Sequence, residues 1–222
     1  NKKNNKMSES IDYNIILIGN SAVGKTSLFK KIMTGSFSEK NISTIGMDKK
    51  TFAIDAEVDD KGQKVTKNFN ISLIDTAGEE RFKSITKTYF KGADCVLLIY
   101  DVTNRESYDN VSMWIDSIHD SIGNHETSKY IIVLIGNKID LIGVDGRTRA
   151  VEENEAITKC QDSKLNWGGE CSAKTFSDVE LKNLIKGYII KIYEKVGSKN
   201  IGHQVSKTLS KNKKKTKFCF LP

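Results

Sequence analysis

The sequence predicts an α/β domain built on a mostly parallel six-stranded sheet, with one antiparallel edge strand and helices on both faces. Three observations carry this. Apolar runs of strand length alternate with amphipathic helical stretches along most of the chain. One hairpin signal interrupts the alternation and supplies the antiparallel edge. The first apolar run, Ile15-Ile16-Leu17-Ile18, leads directly into Gly19 to Thr26, GNSAVGKT. That octapeptide is the G-x-x-x-x-G-K-[ST] pattern, a loop that closes around phosphate between a strand and a helix.

The first strand is expected from Tyr13 to Ile18, and a helix from Lys25 to about Thr34 places Leu28, Phe29, Ile32 and Met33 on one face before Gly35 ends it. Ser36 to Asp48 lacks a strong period and reads as a loop. Thr51 to Val58 and Lys67 to Ile74 read as strands joined across Asp59-Asp60-Lys61-Gly62, a hairpin. Cys95 to Tyr100 is the next strand, followed by a helix near Arg105 to Ile122 with Tyr108, Val111, Ile115, Ile118 and Ile122 in register; Trp114 reads as packing. Tyr130 to Ile135 forms a fifth strand, Glu152 to Cys160 a helix, and Gly169 to Cys171 a short sixth strand. Ser177 to Val196 is a long amphipathic helix whose apolar face holds Leu181, Leu184, Ile185, Tyr188, Ile189, Ile192 and Val196.

The domain is therefore placed at residues 11–196, between an Asn/Lys-rich, aperiodic lead-in at 1–10 and a segment without core-forming pattern at 197–222. No apolar run approaches the ~18 residues of a membrane span, and no secretory h-region is visible in the opening residues. The seven lysines after Gly197 account for the whole formal net charge of +7, so the domain itself is neutral. A basic balance confined to such a segment points to an anionic membrane surface and away from a nucleic-acid groove. Cys95, Cys160, Cys171 and Cys219 lie far apart with no C-x-x-C pair, which argues against a zinc site or a disulfide framework.

The candidate chemistry starts at the glycine-rich loop. Backbone N–H groups of Gly19, Asn20, Ser21, Ala22, Val23 and Gly24 can surround phosphate oxygens, and the helix that follows, opening with Lys25, Thr26 and Ser27, presents its positive end to the same anion. Lys25 is expected to reach the β- and γ-phosphates and the Thr26 hydroxyl to hold Mg²⁺. Asp75 ends an apolar strand and precedes Thr76-Ala77-Gly78, which suits a carboxylate delivered to the metal; taken alone, a turn or helix N-cap aspartate would be the commoner case. Asn137-Lys138-Ile139-Asp140 follows the fifth strand. A carboxylate at Asp140 accepts two hydrogen bonds from the N1–H and N2 amino group of guanine, which adenine does not offer. Asn137 would brace the loop and the base edge, the stem of Lys138 would cover a ring face, and in Ser172-Ala173-Lys174 the Ala173 N–H would meet O6. Any one of these tetrapeptides is a weak signal, but in the order P-loop, DTAG, NKxD, SAK, each after a strand, they make guanine the expected base, with GTP and GDP as expected substrate and product. A P-loop kinase acting on a small substrate leaves NKID and SAK unexplained.

In this order and context the motifs resemble the small GTPases of the Ras superfamily, the Rab family most closely, over roughly Asn14 to Val196. The resemblance rests further on Ile42 to Asp48 (ISTIGMD), Asp75 to Phe82 (DTAGEERF), Tyr89 to Ala93 (YFKGA) and Tyr100 to Thr103 (YDVT). It implies the P-loop GTPase fold and a GDP/GTP switch that recruits effectors to membranes in vesicle trafficking. It also implies that Thr44 closes on Mg²⁺ and γ-phosphate, that Asp75 holds the metal through water, that Gly78 donates to the γ-phosphate, and that Phe37 packs against the base. Glu79 stands at the catalytic glutamine position, beside Lys25 and Thr44. Lys49, Ile74 and Asn41 replace residues usually aromatic in the family, and the Asp59 to Lys67 hairpin is longer than usual. The implied partners are an exchange factor, an activating protein, effectors and a dissociation inhibitor or escort protein, with a monomer on the cytosolic face of intracellular membranes. The lysines from Lys207 to Lys217 followed by Cys219-Phe220-Leu221-Pro222 look like a polybasic segment before a prenylation box, with Cys219 as the lipid site. A second reading is a GTP-binding scaffold with negligible hydrolysis.

Overall fold

Six strands lie in the order β2-β3-β1-β4-β5-β6 in the computed structural model, which describes residues 10–39, 44, 46–76, 90, 92–122 and 130–196. The strands are β1 Ile11–Ile18, β2 Met47–Asp60, β3 Gln63–Thr76, β4 Cys95–Asp101, β5 Ile131–Asn137 and β6 Asn166–Glu170. Pairing is parallel throughout except between β2 and β3, so the antiparallel strand is the edge strand β2, as expected.

The helices are α1 Lys25–Thr34, α2 Arg105–Asp109, α3 Val111–Ile122, α4 Glu153–Asp162 and α5 Asp178–Val196. They cover both faces because the central strands carry apolar runs, Ile15 to Ile18, Cys95 to Tyr100 and Ile131 to Ile135, whose alternate residues point to opposite sides. Tyr13, Ile15 and Leu17 of β1, with Leu97 and Ile99 of β4, pack toward Leu28 and Phe29 of α1 and Ile185 and Ile189 of α5. Ile16, Ile18, Val96 and Leu98 face the other way, toward Trp114 and Ile118 of α3 and Ala156 of α4.

Strand ends shift by one or two residues at β1, β4 and β5, and three elements differ more from the sequence expectation. The hairpin is longer on both arms: β2 begins at Met47, inside the stretch read as a loop, and β3 begins at Gln63, four residues before Lys67. The turn is only Lys61-Gly62, both at positive φ (59° and 86°), which matches the twist of the flanking strands and lets pairing run unbroken from Asp60↔Gln63 to Met47↔Thr76. Polar residues at the arms hide this length from an apolar-run reading. The helix expected over 105–122 is divided at Asn110, a residue whose side chain competes with helical hydrogen bonding. The sixth strand lies at 166–170 and ends before Cys171, whose N–H nevertheless donates to the Gly136 carbonyl at 2.8 Å. Cys95, Cys160 and Cys171 are all buried free thiols. The expectations that rest on Asn41, Ile42, Ser43, Ile45, Ala77 to Phe82 (Gly78 and Glu79 among them), Tyr89, Lys91, residues 1–9 and residues 197–222 (Cys219 among them) lie outside the described residues.

Candidate nucleotide site

A cavity of about 580 Å³ opens at the carboxyl ends of the parallel strands, where β1 lies between β3 on one side and β4 on the other. This is the edge of an open α/β sheet at which ligands bind. Sheet register brings the motif ends level: Leu17 pairs with Asp75, and Asp101 with Asn137.

The loop between β1 and α1 is made possible by two glycines. A Cβ on Gly19 (φ 136°) would lie 2.2 Å from the Ile99 carbonyl oxygen, and one on Gly24 (φ 99°) 2.3 Å from Asn137 Nδ2. The backbone thus sits against β4 and β5 closer than any side chain allows. Helix α1 has Gly24 as its N-cap with no side-chain cap and no acidic residue in its first turn, so nothing of its own competes for an anion at that end.

Lys25 is 5% exposed and folds back over the loop, its Nζ donating to the carbonyls of Gly19 (2.9 Å) and Asn20 (2.7 Å). Burial pulls its pKa down to about 8, with the charge of Asp75 acting in the opposite direction. Beside it, the Thr26 hydroxyl donates to Asp75 Oδ2 at 2.7 Å and lies 2.5 Å from the Thr44 hydroxyl. The other carboxylate oxygen, Asp75 Oδ1, is buried with no hydrogen-bond partner among the described residues. Burial raises the Asp75 pKa, against the Thr26 hydrogen bond and the Lys25 charge. One orphaned carboxylate oxygen beside two hydroxyls is an all-oxygen donor set that suits a hard divalent cation such as Mg²⁺.

At the other end, Asn137 is fully buried. Its Nδ2 donates to the Val23 carbonyl (2.9 Å), and its Oδ1 accepts the Ala173 N–H (3.3 Å), so one side chain ties the phosphate loop to the Ser172-Ala173-Lys174 loop. Ser172 donates to Asp140 Oδ1 at 2.6 Å and accepts from the N–H groups of Lys174 and Thr175, which fixes the Asp140 carboxylate at the cavity wall. Lys138 adopts a left-handed backbone (φ 72°), and its Nζ is held 2.7 Å from Asp101 Oδ2.

Of the expected residues, Ser21, Ala22, Gly24, Lys25, Thr26, Ser27, Phe37, Thr44, Asn137, Lys138, Asp140, Ala173 and Lys174 line the cavity. Gly19, Asn20, Val23, Asp75 and Ser172 stand directly behind it, joined to those residues by the contacts above or by their place in the loop. The sequence reading missed Asp101, which orients Lys138; its signal was its place at the end of β4. It missed Glu39, which lines the mouth and pairs with Lys174 Nζ at 2.7 Å. It also missed Val144, Asp145 and Arg147, a turn beside Asp140 that carries no motif. Trp114 does pack, but its indole also donates to Asn20 Oδ1 at 2.8 Å.

The family model of the Ras family matches residues 14–193 of the chain. The GTP-binding protein yptV5 of Volvox carteri is 39% identical over 166 residues, covering 75% of this chain and 76% of its own. The Ras-related protein Rab-1 of Theileria parva is 38% identical over 169 residues, 76% of this chain and 69% of its own. The Ras-related protein Rab-8B of Pongo abelii is 34% identical over 223 residues, 97% of this chain and all of its own.

Proposed function

Given that the chain belongs to the Ras family and is a Rab-like small GTPase that binds and hydrolyses GTP, we propose how its own residues divide that work and where it acts. The observation that carries the reading is Asn137, whose one amide joins the phosphate loop to the base-side loop. A nucleotide bridging those loops would be gripped at both ends by a single rigid unit.

By this reading Lys25 leaves the Gly19 and Asn20 carbonyls for the phosphates, where its charge offsets that of the bound anion. Thr26, Thr44 and Asp75, the last through water, would hold Mg²⁺, which when bound neutralises charge on the β- and γ-phosphate oxygens. Thr44 and Gly78 engage only when the γ-phosphate is present and are released on hydrolysis, which gives two states for effectors to distinguish. Glu79 accepts a hydrogen bond from the attacking water. GTP hydrolysis measured with and without an activating protein tests the cycle; no turnover under either condition would leave the scaffold reading in its place.

The Lys25 ammonium makes binding pH-dependent. Its pKa in the nucleotide-free protein is about 8 against an ordinary 10.5. Phosphates favour the charged form, so affinity holds below the free pKa and falls above it. Between about pH 7 and pH 9 the expected loss is about tenfold. Stability runs the other way: the unfolded chain binds the extra proton between pH 8 and 10.5, so this group's contribution to nucleotide-free stability rises with pH across that window. GDP titrations across the range check the sign; a flat profile would remove Lys25 from the phosphate site.

The proposed setting is the cytosolic face of an intracellular membrane, where exchange factors, activating proteins, effectors and a dissociation inhibitor or escort protein act on the switch. No helix among the described residues is long and apolar enough to cross a membrane. Attachment is assigned to a lipid on Cys219 together with the lysines from Lys207 to Lys217, each worth about 1 kcal/mol near an anionic leaflet. Cys219→Ser is expected to move the protein off membranes in cell fractionation, and unchanged membrane association would refute the lipid assignment.

A further inference from the structure

We infer that Trp114, on α3, is a positioning residue for Lys25: its indole N–H anchors the Asn20 side chain, and Asn20 presents one of the two backbone carbonyls that hold the Lys25 ammonium. The contact joins residues 94 apart in sequence at 2.8 Å, and the Asn20 carbonyl then receives Lys25 Nζ at 2.7 Å. The inference rests on the phosphate-loop reading and adds a residue to it that neither the motif nor the cavity lining includes.

The chemistry of the pair is one-sided. An indole nitrogen only donates, so the Asn20 atom facing it is the carbonyl oxygen Oδ1 and the amide is oriented without ambiguity. Trp114 is 3% exposed, so its N–H has no ready exchange with solvent, and losing Asn20 Oδ1 would leave a buried donor unsatisfied. Ile118, one turn on, packs into the same core cluster as the Trp114 ring, which fixes where the donor points. The anchor is therefore set by the core, and the loop adapts to it.

The loop needs such an anchor. Gly19, Ala22 and Gly24 all have positive φ, so its path is held by its contacts more than by local preference. Among the hydrogen bonds described for residues 19–24, two side chains from distant elements grip it. Asn137 of β5 holds the Val23 carbonyl at the helix end, and Trp114 of α3 holds Asn20 at the strand end. Between these two points lie the N–H groups expected to meet phosphate. Releasing the strand-end point would let Asn20 turn toward solvent, moving the carbonyl that sets the resting position of Lys25 and loosening the phosphate cradle.

The test is release of a fluorescent GDP analogue from the full chain in the presence of Mg²⁺. Trp114→Phe keeps the aromatic packing and deletes the donor; Asn20→Ala deletes the acceptor. Each is expected to speed release about 3- to 10-fold, the range of one lost hydrogen bond. The double variant should be no faster than either single one, since both remove the same contact. Unchanged release in both single variants, or effects that multiply in the double variant, would overturn the inference. Should Trp114→Phe fail to fold, the indole N–H resonance of Trp114 in Asn20→Ala decides: a clear shift supports the anchor, and an unmoved resonance refutes it. Failure of the natural protein to bind the analogue at all would instead remove the phosphate-loop reading on which the anchor depends.

Discussion

Asp140→Asn is expected to weaken GDP and GTP binding by about 30- to 1000-fold, the equivalent of about 2–4 kcal/mol, and to shift the preference toward xanthine nucleotides. On the proposed role the carboxylate would accept from both N1–H and the N2 amino group of guanine, whereas the amide offers one acceptor and would turn a donor toward the second guanine donor. Xanthine carries an oxygen at that second position and accepts from the new donor. Ser172, which donates to Asp140 Oδ1 at 2.6 Å, makes the loss larger, because it already fixes the carboxylate for the base and the substitution disturbs both contacts. Competition of ATP, GTP and XTP against a fluorescent guanine nucleotide measures the effect. Equal affinity of the natural protein for ATP and GTP would end the guanine assignment.

Glu79→Gln is expected to raise intrinsic GTP hydrolysis by about 10- to 100-fold, or about 1.4–2.8 kcal/mol of barrier. A glutamine at this position orients the attacking water and can also donate to the transition state; a glutamate, charged at neutral pH, can only accept. On the proposed role it would also set a negative charge beside an anionic γ-phosphate. Lys25 and a bound metal ion offset part of that repulsion without supplying the missing donor. Single-turnover hydrolysis without any activator compares the two proteins, and equal or slower hydrolysis in Glu79→Gln would refute the argument. An activating protein that brings its own donor would narrow the gap, so the measurement belongs to the unassisted reaction.

Most of the site was legible in the sequence because each motif is local to a strand end. Strand β1 delivers Gly19 to Thr26, β3 delivers Asp75, and β5 delivers Asn137 to Asp140; in a parallel sheet all three ends fall on one edge. The alternation of apolar strands with amphipathic helices was enough to set the strand count, the antiparallel edge and helices on both faces. Those features depend on side-chain periods of 2 and about 3.6, which a linear sequence displays directly.

What only the tertiary structure decided was the set of partners between elements. The amide of Asn137 reaches back 114 residues to Val23, Lys138 Nζ is held by Asp101, Lys174 pairs with Glu39 across the cavity mouth, and Trp114 grips Asn20. The sequence marks Trp114 as an apolar position on a helix, and whether its indole points into plain core or at the phosphate loop depends on how α3 is rotated against the sheet. The true length of the hairpin was hidden for a related reason: its arms are polar, and their strand conformation comes from the Lys61-Gly62 turn and cross-strand pairing rather than from an apolar run. Periodicity assigns a residue to a face, whereas a hydrogen bond between distant elements requires register and rotation to agree to within about half an ångström, and packing of the whole core sets those.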